Sequence, residues 1–411
     1  MGDDRFTPYQ RKLFIFLSVA SFFEGYDFMA LSQVLPNLTE DMGLSELEKG
    51  VMYGIISAGT IVALLLVRLA DKIGRRRVLS ITIAGYAFFT FVTGFAPDPI
   101  TFTVAQFIAR IFLIGEWATS MVYAAEEFPA ARRGTVVGVI QGFTALGSIV
   151  CAGVAPILIK TSLQWRAVYL SAVLPLLLIM YARRNLKETR RFQEYIDQGG
   201  IPRASLFRIF STGHRGWVFK IGALWFLVYL CSNVAVYYWK DFAITERGLT
   251  EGQAGLSISI AAVAAMPLVF YAGKLLDQIG RRKGAAVIMT AGAGGTALCY
   301  TLYGQWPLTA ALVLGIFGAS AMLSVLNTIT TELFPTSLRA DAFAWTNNLI
   351  GRIGYVAAPI GVGAVAQVVG EKGPVVAATA IFPMLALLLI FAMIPETRGL
   401  ELEDTSALEA D

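Results

Sequence analysis

Stretches of roughly 20 apolar residues recur from end to end of this 411-residue chain, and no other feature constrains its fold as strongly. Each is long enough to cross ~30 Å of hydrocarbon as a helix. In hydrocarbon every backbone N–H and C=O must be satisfied by the protein itself, and runs of this length achieve that as helices. Twelve spans are predicted, at about 13–37, 49–70, 77–96, 100–123, 134–158, 165–184, 216–241, 250–273, 283–303, 307–331, 341–368 and 373–394. Composition agrees: 56% of residues are hydrophobic and 15% charged, where a soluble chain carries nearer a quarter charged. The chain therefore reads as an all-α polytopic protein whose constant partner is the lipid bilayer. The first apolar run lacks a small-residue cleavage site and is read as span 1, not as a leader.

An even number of spans puts both termini on one face, and the basic residues choose the face. Of the 33 Lys and Arg, only Lys49, Lys160, Arg166, Lys240, Arg247 and Lys372 fall on the opposite face, while Arg110 and Arg352 fall inside spans. The rest gather with the termini, which places both termini in the cytoplasm and the chain in the cell membrane. The net charge of +4 then reflects topology, and no nucleic-acid partner is expected. Cys151, Cys231 and Cys299 lie in spans without metal-ligand spacing, and the one histidine, His214, lies in a loop. Neither a metal nor a cofactor is expected, and the chain is expected to act as a monomer.

The chain repeats itself. "RLADKIGRRR" (68–77) matches "KLLDQIGRRK" (274–283), and "EEFPAARRG" (126–134) matches "TELFPTSLRA" (331–340). Asp71 maps to Asp277, Gly74 to Gly280, Glu126 to Glu332, Pro129 to Pro335 and Arg133 to Arg339, each at an offset of 206. Two motifs at one offset indicate two homologous six-span halves. The expected domains are 1–185 and 216–411, joined by a polar cytoplasmic linker at 186–215.

Six plus six spans with this loop motif at both 2–3 and 8–9 positions resemble the major facilitator superfamily along the whole chain. The second copy matches the family pattern fully from Gly273 to Arg282, and the first has Val67 where the family has Gly. The resemblance implies two bundles that rock about a central cavity, driven by an ion gradient and no bound cofactor. It also implies a cytoplasmic gate in which Asp71, Arg75, Glu126, Arg133, Asp277, Arg281, Glu332 and Arg339 latch the halves together.

Charges inside the spans are the candidate working parts. Glu24 and Asp27 lie in span 1, Arg110 and Glu116 in span 4, and Arg352 in span 11. At ~2.5–3.5 kcal/mol each, the five would oppose insertion by roughly 12–17 kcal/mol if left uncompensated. They are therefore expected to face one another or a wet path. A carboxylate that gains and loses an arginine during rocking changes its proton affinity, so Asp27, Arg110, Glu116 and Glu24 are the candidate proton-coupling set. Three acids and two arginines sum to −1, and adding a proton and a monoanion restores that sum, a physical reason for the two to travel together. The candidate substrate set is Arg352, Asn347, Asn348 and Trp345 of span 11, the four-spaced stripe Trp225, Tyr229, Asn233 and Tyr237 of span 7, Gln141 and Asn327. Trp345, Asn348 and Arg352 fall on one face at α-helical spacing.

Finer resemblances narrow the cargo. "EGYDFMALSQVLP" resembles the helix-1 signature of aromatic-acid:proton symporters, with Glu24 for its first Asp. Gly115-Glu116-Trp117 resembles a stretch of metabolite:proton symporters. "GRIGYVAAP" (351–359) resembles the helix-11 stretch of aromatic-acid and organic-anion carriers, where the Arg meets an anion. These resemblances imply proton-coupled uptake of a small organic anion, such as an aromatic acid. A sugar:proton symporter is the alternative, on Gly25-Tyr26-Asp27, Asn233 with Tyr237-Tyr238, and "PETRG" (395–399). Against it, this chain lacks the span-7 Gln pair of sugar porters, with Leu227 and Val228 in those places. The antiporter signature of span 5 is missing from "GVIQGFTALGSIVCAG", which disfavours drug efflux. No nucleotide fingerprint or nucleophile–base set accompanies the carboxylates, so the chain is not expected to be an enzyme.

Overall fold

The apolar runs form helices in the computed structural model, which describes residues 6–171, 186–189, 193, 206–335 and 338–398; among these there is no strand. Spans 1 to 5 become Pro8–Met42, Glu46–Ile73, Arg75–Thr93, Pro99–Glu127 and Ala130–Leu158. Span 6 is described at 165–171, which is helical. Span 7 is broken into Arg215–Tyr237 and Trp239–Thr245, and spans 8 to 10 are Glu251–Ile279, Arg281–Thr301 and Gln305–Leu333. Span 11 is composite: Arg339–Phe343, a π-helical segment Ala344–Gly351, then Arg352–Val369. Span 12 is Gly373–Ala378 followed by Ile381–Met393.

Nine helices among the described residues are long and apolar enough to cross a membrane. Spans 3 and 9 are helical but open on the basic clusters Arg75-Arg76-Arg77 and Arg281-Arg282-Lys283, which lowers their apolarity. Large side chains such as Leu65, Phe88 and Phe270 are 60–70% exposed. In water these would be sticky patches; on spans they are the surface that lipid covers.

The loop motif has a backbone reason. Gly74 and Gly280 adopt φ of 101° and 97°, a region that side chains with a Cβ avoid. Each reverses the chain between two antiparallel helices within one residue. At the other face, Asp98 caps span 4, its Oδ1 accepting from the Ile100 and Thr101 N–H groups at 2.9 Å, with Pro99 in the first helical turn, as capping chemistry favours.

The chain divides into two compact units: 1–37 with 59–203, and 38–58 with 204–411. The first half of span 2 thus belongs with the second unit. Within the first unit, span 1 crosses span 5 at backbone contact: a Cβ on Gly25 would overlap the Thr144 carbonyl, and one on Gly147 the Phe22 carbonyl. Within the second, Gly292 and Gly318 bring spans 9 and 10 together in the same way. Small residues permit such close approach in lipid, where dispersion is the main attraction.

Candidate functional site

The first unit gathers four charges in one buried place. Glu24, Asp27, Arg110 and Glu116 are all buried. Glu116 Oε1 accepts from Ser120 Oγ at 2.6 Å. The Arg110 guanidinium lies 4.9 Å from the centre of the Phe28 ring, with Gly59 against its stem. The Arg110 charge acts on both Asp27 and Glu24, and the Glu116 carboxylate acts on Glu24. Asp27 and Arg110 are neighbours here without a direct ion pair, and Asp27 Oδ1, Arg110 Nη1 and Glu24 Oε2 make no hydrogen bond. Buried polar atoms in that condition are costly, so the cluster is poised to take a partner, whether water, proton or one another.

Two tyrosines that sequence reasoning passed over complete this cluster. Tyr86 of span 3 is within electrostatic reach of all four charges, and its hydroxyl donates to the Phe23 carbonyl at 3.3 Å. Tyr169 of span 6 senses Asp27 and Arg110, and its buried hydroxyl has no partner. The only sequence signal is a polar atom inside an apolar run, which many membrane tyrosines share.

The second unit holds Arg352. Its guanidinium lies over the rings of Tyr229 and Tyr355, 5.1 and 4.8 Å from their centres, a geometry of cation–π attraction. The two rings meet edge-on at 5.2 Å. Arg352 Nε is buried and without a hydrogen bond. The Tyr229 hydroxyl donates to Asn347 Oδ1 at 2.8 Å, so Tyr229, Asn347 and Arg352 form one group. Tyr355 joins them, and its place one helical turn after Arg352 could have marked it.

The other expected substrate residues are spread more widely. Trp225 is buried, and its indole N–H donates to Thr330 Oγ1 at 3.1 Å; it packs span 7 on span 10. Asn233 is used on both sides of its amide, accepting from the Tyr53 hydroxyl at 2.6 Å and donating to the Tyr355 carbonyl at 2.8 Å. Tyr237 stacks on Tyr53 with ring centres 3.6 Å apart. Asn348 is half-buried, and Asn327 and Gln141 are exposed, Gln141 donating to Met121 Sδ at 3.8 Å. Trp345 packs edge-on against Phe207 and Phe210 of the linker. The expected common face of Trp345, Asn348 and Arg352 is not kept, because the segment between them is π-helical: the Arg352 N–H bonds back to the Asn347 carbonyl, five residues earlier. The wider turn rotates residues seven apart away from one another.

At the turns after spans 2 and 8, Arg75 donates to Glu126 Oε1 at 3.1 and 3.2 Å, and Arg281 donates to Glu332 at 2.6 and 3.0 Å. Exposed Asp277 reaches Arg281 at 3.2 Å, and Arg339 Nε donates to the Thr331 carbonyl at 3.1 Å. The side chains of Asp71 and Arg133 lie outside the described residues. Each of these Arg–Glu pairs lies within one unit. A second repeated string lies against each pair. "KETR" (187–190) and "PETR" (395–398) lie 208 residues apart. Glu188 accepts from the Arg75 and Arg76 N–H groups while Thr189 donates to Glu126. Glu396 accepts from the Arg281 and Arg282 N–H groups while Thr397 donates to Glu332. Each carboxylate caps a helix start, where the backbone dipole favours an anion.

Comparison with known proteins agrees with this architecture. The family model described as Major Facilitator Superfamily matches residues 17–359 and 226–407. A protein of Cupriavidus pinatubonensis described as a "probable 4-methylmuconolactone transporter" is 26% identical over 98% of this chain and 95% of its own. A gallate transporter of Pseudomonas putida is 26% identical over 85% of this chain and 84% of its own. Among solved structures, a D-xylose-proton symporter superposes with a TM-score of 0.76 at 20% identity, over 95% of this chain and 99% of the other; at that identity the likeness speaks for the fold.

Proposed function

We propose, from the premise that the chain belongs to the major facilitator superfamily and is a multi-pass membrane transporter, not an enzyme, that it takes up a small organic anion together with a proton by alternating access. The observation that carries this reading is Arg352, which has no acid partner among the described residues and is held between Tyr229 and Tyr355. A guanidinium kept inside a span without a counter-ion is expensive, and the carboxylate of a bound acid is the counter-ion that would offset it. The rings beside it suit a flat, unsaturated or aromatic body, with Asn347 and Asn348 offering amides to its other polar atoms. The compounds in the relatives' names, 4-methylmuconolactone and gallate, are both small carboxylic acids, which supports the same class.

The proton is assigned to the first unit. Asp27 takes it, Arg110 serves as the partner that Asp27 gains and loses, and Glu116 and Glu24 make up the rest of the acid cluster. Trp225, Asn233 and Tyr237 stand behind the anion site as its wall. The Arg75–Glu126 and Arg281–Glu332 clusters keep the cytoplasmic end of each unit rigid as it moves. Both termini are assigned to the cytoplasm and the chain to the cell membrane as a monomer.

Uptake by the purified protein in liposomes tests this, with protein-free liposomes subtracted because protonated acids cross lipid unaided. An outside-acid gradient is expected to drive accumulation of gallate or a related benzoate, a protonophore to abolish it, and the methyl ester or D-xylose not to be accumulated. Accumulation untouched by the protonophore would overturn proton coupling, and uptake of the ester equal to that of the acid would overturn the anion assignment.

A further inference from the structure

Basic residues are scarce on the face away from the termini, yet two of them are spent in one buried cluster. Lys49 and Lys372 are 2% and 4% exposed, and Asp241 is fully buried. Lys49 Nζ lies 2.6 Å from Glu46 Oε1 and 3.0 Å from Asp241 Oδ2. Lys372 Nζ lies 2.6 Å from the same Asp241 oxygen and 3.3 Å from the same Glu46 oxygen. All four residues fall in the second unit, which takes in 38–58 from the start of span 2. The Asp241 side is firmly built: Thr245 Oγ1 accepts from Lys372 Nζ at 3.0 Å, and the Glu246 carboxylate accepts from the Lys372 and Gly373 N–H groups.

The distances sort the four contacts into two kinds. The short pairs, both 2.6 Å, are Glu46–Lys49 within span 2 and Asp241–Lys372 within the second repeat. The longer pairs, 3.0 and 3.3 Å, run between them. If span 2 moved away, each side would leave with its own counter-ion, and no charge would be stranded. A static joint would be better served by apolar packing, because burying ion pairs is weak stabilisation and breaking one unevenly is costly. Charged faces that are each neutral have the opposite merit: they close without apolar adhesion and are soluble when apart. Burial opposes the charge on Lys372, but the Asp241 and Glu46 carboxylates outweigh it and raise its pKa above the ordinary lysine value, so it stays charged.

The seam continues below the charges at backbone distance. A Cβ on Gly50 would overlap the Pro359 carbonyl, and one on Gly363 the Glu46 carbonyl; Tyr53 meets Asn233 and Tyr237 one turn further on. The repeat does not explain the cluster, since Gly252 and Gly255 stand where Glu46 and Lys49 would map at the offset of 206.

We propose that Glu46–Lys49 and Asp241–Lys372 form a reversible clasp that shuts the transport path at the face away from the termini and parts along the Lys49–Asp241 and Lys372–Glu46 contacts when the path opens there. It rests on the transport reading for its purpose, but its test needs no substrate. Ser57, buried two turns along the same helix from Lys49, is changed to Cys in a background with Cys151, Cys231 and Cys299 changed to Ser. A membrane-impermeant maleimide is then applied from that face. Lys49→Met with Glu46→Gln, which removes one neutral pair whole, is expected to speed labelling by about tenfold or more. Lys49→Glu with Glu46→Lys, which sets like charges against Asp241 and Lys372, is expected to do the same. Should either pair of changes prevent folding, Gly363→Ala wedges the same seam by size alone and is expected to speed labelling too. Labelling no faster than in the parent, in whichever of these variants fold, would overturn the clasp even if gradient-driven uptake is intact. Faster labelling with no uptake of any acid would leave the clasp and overturn the function proposed above.

Discussion

A guanidinium between two tyrosine rings is held in place but not discharged, and that is the condition in which a single residue can select a ligand. Arg352 offers a planar fork to a carboxylate, while lysine offers one compact charge. Arg352→Lys is therefore expected to weaken binding of the transported acid by tenfold or more, ~1.4 kcal/mol, read by calorimetry on the purified protein; equal affinity would remove Arg352 from the site. Glu396 makes a different prediction. Burial works against its charge, but N–H donors from Arg281, Arg282 and Arg398 and the Arg281 charge outweigh it and lower its pKa. A lowered carboxylate pKa adds stability above the unfolded value of about 4.3, lost as pH falls through the folded value. Melting temperatures of the wild type are thus expected to fall more steeply below about pH 4.3 than those of Glu396→Gln, and parallel curves would show that the cap contributes nothing. A charge in an apolar run announces itself, so Arg352, Asp27 and Arg110 are legible in the sequence. Tyr86 is not, because its neighbours in space come from spans 1 and 4.

At the scale of elements, the glycine of the "EGYDF" string is a packing residue. Gly25 lets span 1 touch the span-5 backbone at Thr144, and a methyl there has no room. Gly25→Ala is expected to cost ~1–3 kcal/mol, lowering the melting temperature, whereas Gly142→Ala on the same span 5, where a Cβ meets nothing, is expected to leave it unchanged. Equal melting for both would show that spans 1 and 5 adjust freely. Span positions are legible because hydrophobicity over 20 residues is a strong signal. The π segment of span 11 is not, since nothing in "AWTNNLIG" separates five-residue from four-residue bonding, and so Trp345 reads as a neighbour of Arg352 when it packs on the linker. The Glu-Thr caps at 188–189 and 396–397 escape for another reason: they sit at an offset of 208, two residues out of step with the main repeat.

At the scale of the whole chain, the repeat explains why the turns at Gly74 and Gly280 are built alike, and departures from it mark where the halves specialise. Glu24, Asp27, Glu116 and Arg110 belong to the first unit, and Arg352 belongs to the second. Neither set has a counterpart at the offset: Arg110 maps to Ile316 and Asp27 to Asn233. Among the described residues, the first cluster thus holds three acids against one arginine and Arg352 has no acid partner, and a proton plus an organic monoanion would correct both at once. An unbalanced charge in a low-dielectric path is expensive, which gives a reason for the loaded and empty carriers to change face more readily than carriers holding one partner alone. Asp27→Asn tests this most directly, because it imitates a permanently protonated acid. In liposomes preloaded with the substrate acid, Asp27→Asn is expected to exchange labelled acid across the membrane and yet fail to concentrate it when an outside-acid gradient is imposed. Accumulation by Asp27→Asn at the wild-type level under that gradient would contradict the assignment of the proton to Asp27.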